Sequence, residues 1–192
     1  MAICKKRTKS EHTETSIQRA FYRANGNNFR LSIPNIFATG NFGFESDILC
    51  IRKSGYTVEY EIKISMADFR NDAKKTIAEP GSAPTVIEEP ASWGVQRRHV
   101  YPEISKYDLL QSGRMVANQF YYIMPGDLAV QALPEMPAFA GLLALEKWGG
   151  FTELQGAVML HKNKADAKQL LSYAGNLSTR YWGELMRGGY GS

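Results

Sequence analysis

The sequence predicts an α/β protein, and three observations carry the prediction. Two adjacent stretches, Glu45 to Arg52 and Tyr56 to Ile64, are short and rich in β-branched and aromatic residues, and only Lys53-Ser54-Gly55 separates them, which reads as a hairpin. Three segments, Glu14 to Ala24, Ser65 to Ile77 and Lys164 to Met186, repeat apolar residues at helical spacing. Two further apolar runs, Gln119 to Met124 and Phe139 to Glu146, have the length and composition of strands.

Taken in order, the first helix puts Ile17, Phe21 and Ala24 on one face, and Asn25-Gly26 ends it. Arg30 to Phe37 reads as a strand that Pro34 confines to an edge or a bend. After the hairpin, Ser65 caps a second helix with Asp68 at the capping-box position, and Met66, Phe69, Ala73 and Ile77 point inward. Residues 79–105 contain four prolines and read as a long irregular loop, a length that marks functional or disordered segments. Pro125-Gly126 then turns into a short amphipathic piece, and Gly149-Gly150 turns the chain into a last strand near 156–160. Phe120, Tyr121 and Tyr122 read as sheet packing. The C-terminal helix carries a stripe of Leu170, Leu171, Ala174, Leu177, Tyr181 and Leu185, a packing face for the sheet or for a second copy in a homodimer.

The chemistry concentrates on the hairpin. A three-residue loop wants a left-handed residue at its end, where Gly55 stands. That register sets Arg52 against Tyr56 and therefore Asp47 against Glu61. Period 2 places Glu45, Asp47, Glu61 and Lys63 on one face, and Ile48, Cys50, Val58, Tyr60, Ile62 and Ile64 on the other. Opposed Cβ atoms lie only about 4.5–5.5 Å apart, so two carboxylates there repel unless something positive sits between them. A hard divalent cation meets that need, with Lys63 alongside to orient a water or meet negative charge. The alternative is a purely structural acidic face, with Lys63 salt-bridged to Glu45 or Glu61.

Asp47 followed by Glu61-x-Lys63 resembles the PD-(D/E)XK nuclease signature. The continuation Ser65-x-x-Asp68-Phe69-x-x-Asp72-x-Lys74-Lys75 is similar to the MmcB-like DNA-repair-associated group and to related phage and prophage nuclease-like proteins. Phe120-Tyr121-Tyr122, Pro125-Gly126 and Ala140-Gly141-Leu142 recur in the same order, so the resemblance spans residues 14–162. It implies a restriction-endonuclease-like core, a central mixed β-sheet flanked by helices, here with a C-terminal helix. It also implies an Mg²⁺- or Mn²⁺-dependent phosphodiesterase acting on nucleic acid, most directly as a DNA endonuclease. By the same resemblance Asp47 and Glu61 are metal ligands, the Ile62 backbone carbonyl completes the shell, Lys63 positions the attacking water, and Glu14 is the candidate for an acid from the first helix. Ser65, Asp68 and Asp72, with Glu45, are supporting residues; Asp68 and Asp72 lie four apart on the outer face of their helix. One departure is Ser46, where many members have a proline before the aspartate. A non-cutting nucleic-acid-binding or repair-accessory module on the same fold is the competing function.

Composition bounds the rest. At 192 residues, with 44% hydrophobic and 22% charged residues, the chain reads as one nuclease-like domain over residues 14–187, with a basic flexible arm over 1–13 and a disordered tail over 188–192. A net charge of +4 permits nucleic-acid binding without demanding it, and the cations cluster. Lys5, Lys6 and Arg7 form the arm, Lys74 and Lys75 follow the second helix, and Arg97-Arg98-His99 lies between Trp93 and Tyr101, a pairing of phosphate contacts with stacking rings. No apolar run follows the basic N-terminus as in a signal peptide, and none is long enough to span a bilayer, so a cytoplasmic location is expected. Cys4 and Cys50 build no framework, and His12, His99 and His161 have no metal-ligand spacing, although His161 follows the last strand and could approach the site.

Overall fold

The computed structural model describes residues 12–36 and 44–187. In chain order these form α1 (Glu14–Asn25), β1 (Phe29–Ile36), β2 (Ser46–Arg52), β3 (Thr57–Ile62), α2 (Met66–Asp72), β4 (Thr76–Ala78), β5 (Thr85–Ala91), β6 (Gly94–Val100), β7 (Glu103–Ser105), α3 (Lys106–Ser112), β8 (Gln119–Pro125), α4 (Gly126–Ala132), β9 (Gly141–Leu145), β10 (Phe151–Gln155) and α5 (Ala167–Arg187). Six strands build one sheet in the order β1-β2-β3-β8-β9-β10. It is mixed: β1, β2 and β3 run antiparallel, β3, β8 and β9 run parallel, and β10 returns antiparallel to β9. Helices flank both faces and α5 follows the last strand, as the α/β reading expects.

Local chemistry explains the elements that place the site. Thr13 opens α1 with a capping box, its hydroxyl accepting from Ser16 N–H while the Ser16 hydroxyl accepts from Thr13 N–H. At the hairpin, Gly55 has φ +91°, Gly55 N–H donates to the Arg52 carbonyl at 2.9 Å, and Arg52 N–H donates to the Tyr56 carbonyl at 2.8 Å. The ladder then pairs Ile51 with Thr57 and Ile48 with Tyr60, the expected register. Pro34 lies on β1 at the edge of the sheet, where a missing donor costs no ladder bond.

Alternation splits the core in two. Ile48, Cys50, Val58, Tyr60 and Ile62 pack with Ile17 and Phe21 of α1. On the opposite face Leu49 and Ile51 meet Tyr173, Leu170 and Leu177 of α5, while Phe120 and Tyr122 meet Phe69 of α2 and Leu109 and Leu110 of α3. Every residue of β3 is buried, so its polar members Glu59 and Glu61 lie under helices rather than in solvent. Cys50 is a buried free thiol, pushed up to about 12 by burial.

Several expectations are corrected. Residues 79–105 are not irregular: β4 pairs with β7 as a short stalk, and β5 pairs with β6 in a hairpin that turns at Ser92-Trp93. Pro90 fits because both hairpin strands are edges. Helix α3 was not foreseen; Ser105 caps it by accepting from Asp108 N–H, and Gly113 ends it at φ +66°. The last strand comes earlier, over Phe151–Gln155, because Gly149 at φ +85° lets the chain fold straight back onto β9. Ala24 and Ala73 are exposed. The stripe on α5 also divides: Leu170 and Leu177 pack inward, while Leu171 and Tyr181 are exposed. The basic arm up to Glu11 and the tail over 188–192 lie outside the described residues. No helix among the described residues is long and apolar enough to cross a membrane.

Candidate active site at the open end of the β2–β3 hairpin

The register that pairs Ile48 with Tyr60 sets Asp47 against Glu61, one step beyond. There the ladder changes character. Ile62 N–H donates to Asp47 Oδ2 at 2.6 Å, so a carboxylate stands where the next backbone acceptor of an antiparallel ladder would be. From α1, Gln18 Nε2 donates to the Asp47 carbonyl at 3.1 Å and to Glu14 Oε1 at 3.3 Å. Glu14 is thereby tied to the same strand end. Burial, the Glu61 charge and the Glu14 charge together push the Asp47 carboxyl up to about 7, against the relief given by the Ile62 N–H. Glu14 is raised as well, by partial burial and by the charges of Glu61 and Glu45. Glu45 itself is exposed beside the start of β2.

Behind Glu61 lies a network of opposite character. Three lysines each touch both Glu61 and Asp72. Lys63 Nζ lies 2.9 Å from Glu61 Oε1 and 3.2 Å from Asp72 Oδ1. Lys75 Nζ lies 3.5 Å from Glu61 Oε1 and 2.9 Å from Asp72 Oδ1. Lys106 Nζ lies 3.3 Å from Glu61 Oε2 and 3.2 Å from Asp72 Oδ2. The Lys106 ammonium is boxed by rings, 4.8 Å from the Phe44 centroid and 5.1 Å from that of Phe120. Asp72 also accepts from the Tyr122 hydroxyl at 2.6 Å, and the Tyr122 and Tyr107 hydroxyls lie 3.0 Å apart. Burial alone would raise the Asp72 carboxyl, but Lys106 and Lys63 outweigh it and hold it well below the ordinary carboxylate range. Burial would likewise lower Lys63 and Lys106; Glu61 and Asp72 reverse this and raise both.

The β2–β3 register is the one expected, but several other predicted residues lie elsewhere than expected. Asp72 is not on the outer face of α2: it is fully buried, because it lies three residues after buried Phe69 and so on the same inner face. Asp68 stays near the surface with its Oδ1 3.7 Å from Lys63 Nζ, and Ser65 caps α2 by accepting from Asp68 N–H. Lys63 is sealed, its side chain only 3% exposed. The salt bridge from Lys63 to Glu61 that a structural acidic face requires is present, whereas Glu45 has no contact with Lys63 among the described residues. Lys74 is exposed, and Arg98 is exposed on the hairpin arm. Arg97 is tied to Glu88 across the β5–β6 ladder at 3.0 Å. His161 does not approach the acids; its Nε2 lies 2.8 Å from the Val116 carbonyl and its Nδ1 3.1 Å from the Asn118 amide. Lys5, Lys6 and Arg7 lie outside the described residues.

Lys106, Tyr122, Gln18 and Glu59 escaped sequence reasoning. Ser105-Lys106-Tyr107-Asp108 carries a capping pattern that could have revealed α3, but nothing in it marks Lys106 as buried. Glu59 is buried near Lys106, its carboxyl is pushed well up by that burial, and its Oε1 has no hydrogen-bond partner among the described residues.

The donor set suits a hard cation in its chemistry. Burial first, and neighbouring negative charge second, raise the Asp47 and Glu14 carboxyls, and a divalent ion would relieve the second of these. Among the described residues no three His, Cys, Asp or Glu side chains converge at ligand spacing. Mg²⁺ commonly takes only one or two carboxylates and completes its shell with water and substrate phosphate, so the Asp47–Glu61 pair fits it.

No family model and no curated protein matches the chain. A solved structure described as the SPO1766 protein of unknown function from Silicibacter pomeroyi is similar over 91% of this chain and 92% of its own, with a TM-score of 0.53 and 18% identity. At that identity the likeness shows a shared α/β fold alone.

Proposed function

We propose that the protein is a metal-dependent nuclease of the PD-(D/E)XK type that hydrolyses phosphodiester bonds, with DNA as its substrate and the cytoplasm as its place of work. The observation that carries this reading is Asp47, opposed to Glu61 across β2 and β3 and raised to about 7 by burial and by the charges of Glu61 and Glu14. A nearby cation would favour the ionised form of a carboxyl so placed. Asp47 and Glu61 would hold Mg²⁺ or Mn²⁺, with the Ile62 carbonyl and Glu14 as further oxygen donors. The bound ion would supply a Lewis-acid contact to the phosphate and a more acidic water.

The chain's own residues do the rest. Ile62 N–H fixes the Asp47 carboxylate, and Gln18 holds the strand end against α1. Lys106 and Lys63 hold the buried Glu61 carboxylate in place, at 3.3 Å and 2.9 Å. Lys74 is exposed for the phosphate backbone, and Arg19 and Arg23 line a cavity of about 500 Å³ beside Gln18. In the hydrolysis, a water oxygen bonds to phosphorus as one P–O ester bond breaks. The water's proton passes to solvent or to the departing oxygen.

A second reading, a nucleic-acid-binding module that does not cut, is favoured by one observation: Glu61 already has three ammonium partners. Purified protein incubated with supercoiled, linear and branched DNA in Mg²⁺, Mn²⁺ or EDTA separates the two. The nuclease reading expects metal-dependent cutting that Asp47→Ala or Glu61→Ala lowers by about 100-fold or more. Binding in EDTA without cutting in either metal would transfer the protein to the second reading.

A further inference from the structure

We propose that Lys75 is the ammonium that meets the substrate phosphate, and that Lys63, which the motif resemblance casts as positioning the attacking water, is instead a buried positioning residue for Glu61. This inference rests on the phosphodiesterase reading above. Its ground is a comparison of three lysines that share one pair of carboxylates. Lys63, Lys75 and Lys106 each lie within 3.5 Å of both Glu61 and Asp72. They differ in what else their ammonium can reach.

An ammonium has three donors. Those of Lys63 look onto three carboxylates, with Glu61 at 2.9 Å, Asp72 at 3.2 Å and Asp68 at 3.7 Å, and its side chain is 3% exposed. An incoming phosphate or a water would have to displace one of those acids. Lys106 is equally sealed, its side chain 3% exposed between Phe44 and Phe120. The Lys75 side chain is 49% exposed, so it reaches the same two carboxylates from the solvent side. It is open to an oxyanion and still anchored against the site.

The backbone around Lys75 is built to keep it there. The chain leaves α2 with Lys75 N–H donating to the Asp72 carbonyl at 3.2 Å, and Lys106 N–H donates to the Lys75 carbonyl at 2.9 Å. The β4–β7 stalk begins at once on either side, pairing Thr76 with Ser105. Lys75 and Lys106 are therefore the two roots of the hairpin arm, clamped together beneath Glu61. With Lys63 and Lys106 compensating the buried acids from behind, the charge that Lys75 presents outward is not spent on them alone. It would stabilise the negative charge that gathers on the phosphoryl oxygens as water adds, and it would keep its own protons throughout.

Two measurements test this. The first is a short acetylation pulse read by mass spectrometry in EDTA, with and without duplex DNA. The expected result is that Lys75 is labelled in the free protein and protected by DNA, while Lys63 and Lys106 resist labelling in both states. Labelling of Lys75 that saturating DNA leaves unchanged would overturn the proposal, as would labelling of Lys63 that DNA blocks. The second compares cleavage and thermal unfolding of the wild type with Lys75→Met, Lys75→Arg and Lys63→Met. Lys75→Met should keep the wild-type Tm and lose about 100-fold in kcat, with partial recovery in Lys75→Arg; Lys63→Met should lower the Tm. A Lys75→Met variant that cuts at the wild-type kcat, or that changes only KM, would overturn the proposal. Absence of any metal-dependent cutting by the wild type would instead defeat the hydrolytic reading, and the labelling result would then decide the role of Lys75 by itself.

Discussion

Asp47 and Asp72 are both aspartates beside the same glutamate, yet their surroundings drive them in opposite directions. Asp72 is enclosed by three ammonium groups and a tyrosine hydroxyl, and it ionises readily. Asp47 faces Glu61 and Glu14 with one backbone N–H for relief, and it is raised from 3.8 to about 7. The folded protein therefore binds a proton at Asp47 that the unfolded chain has already released. In EDTA, stability should fall as pH rises from about 4 to about 7, by at most about 1.4 kcal/mol for each pH unit, with solvent screening at this half-buried group reducing the figure. Urea unfolding across that range checks it: Asp47→Asn should flatten the fall, and Mg²⁺ should flatten it in the wild type. An equal slope in wild type and Asp47→Asn would remove Asp47 as its source. The opposed pair was legible in the sequence because period 2 and one glycine turn fix it. The partner network was not, because Lys106 reaches Glu61 from an element far along the chain, and local pattern carries no trace of such a contact.

At the scale of elements, the β5–β6 hairpin stands apart. Its strands pair over seven positions, from Thr85 with Val100 to Ala91 with Gly94, and Trp93 in the turn is 94% exposed. Its charges partly cancel within the ladder, as Arg97 meets Glu88. An isolated two-stranded hairpin contributes little to the stability of what it leaves. Replacing residues 85–100 by a short Gly-Ser turn should leave the circular dichroism of the remaining fold intact and move the Tm by no more than a few degrees; collapse of the fold would show that the arm is a structural element. The four prolines of 79–105 suggested irregular chain, and that inference failed because proline bars only positions that must donate to a neighbouring strand. The alternation of Val95, Arg97 and His99 with Gln96, Arg98 and Val100 was the strand signal that the prolines masked. By contrast α1, β1, β8 and α5 were recovered near their true bounds, the helices by their apolar period and the strands by their apolar, β-branched and aromatic runs.

Across the whole molecule, one sheet is covered on both faces, and that cover decides what each polar residue can do. Glu59, Glu61, Lys63, Asp72 and Lys106 are all buried, so charge compensation inside the fold is complete only where the chain supplies an opposite partner. At Asp47 and Glu14 it does not, and that is where an ion from outside is expected. The outer half of α5 is a second unfinished surface, with Leu171, Trp182 and Met186 exposed along one helical line. A homodimer through that line is the expected state, visible as concentration-dependent mass in sedimentation equilibrium and lost in Leu171→Lys/Trp182→Glu; a wild type that is monomeric at all concentrations would exclude it. The central claim concerns the acid pair. It is tested most directly by diffraction at the manganese absorption edge from crystals grown with Mn²⁺. The account predicts an anomalous peak at about 2.0–2.3 Å from carboxylate oxygens of both Asp47 and Glu61. Manganese bound elsewhere, with no peak between those two carboxylates and all three lysines still on Glu61, would contradict it.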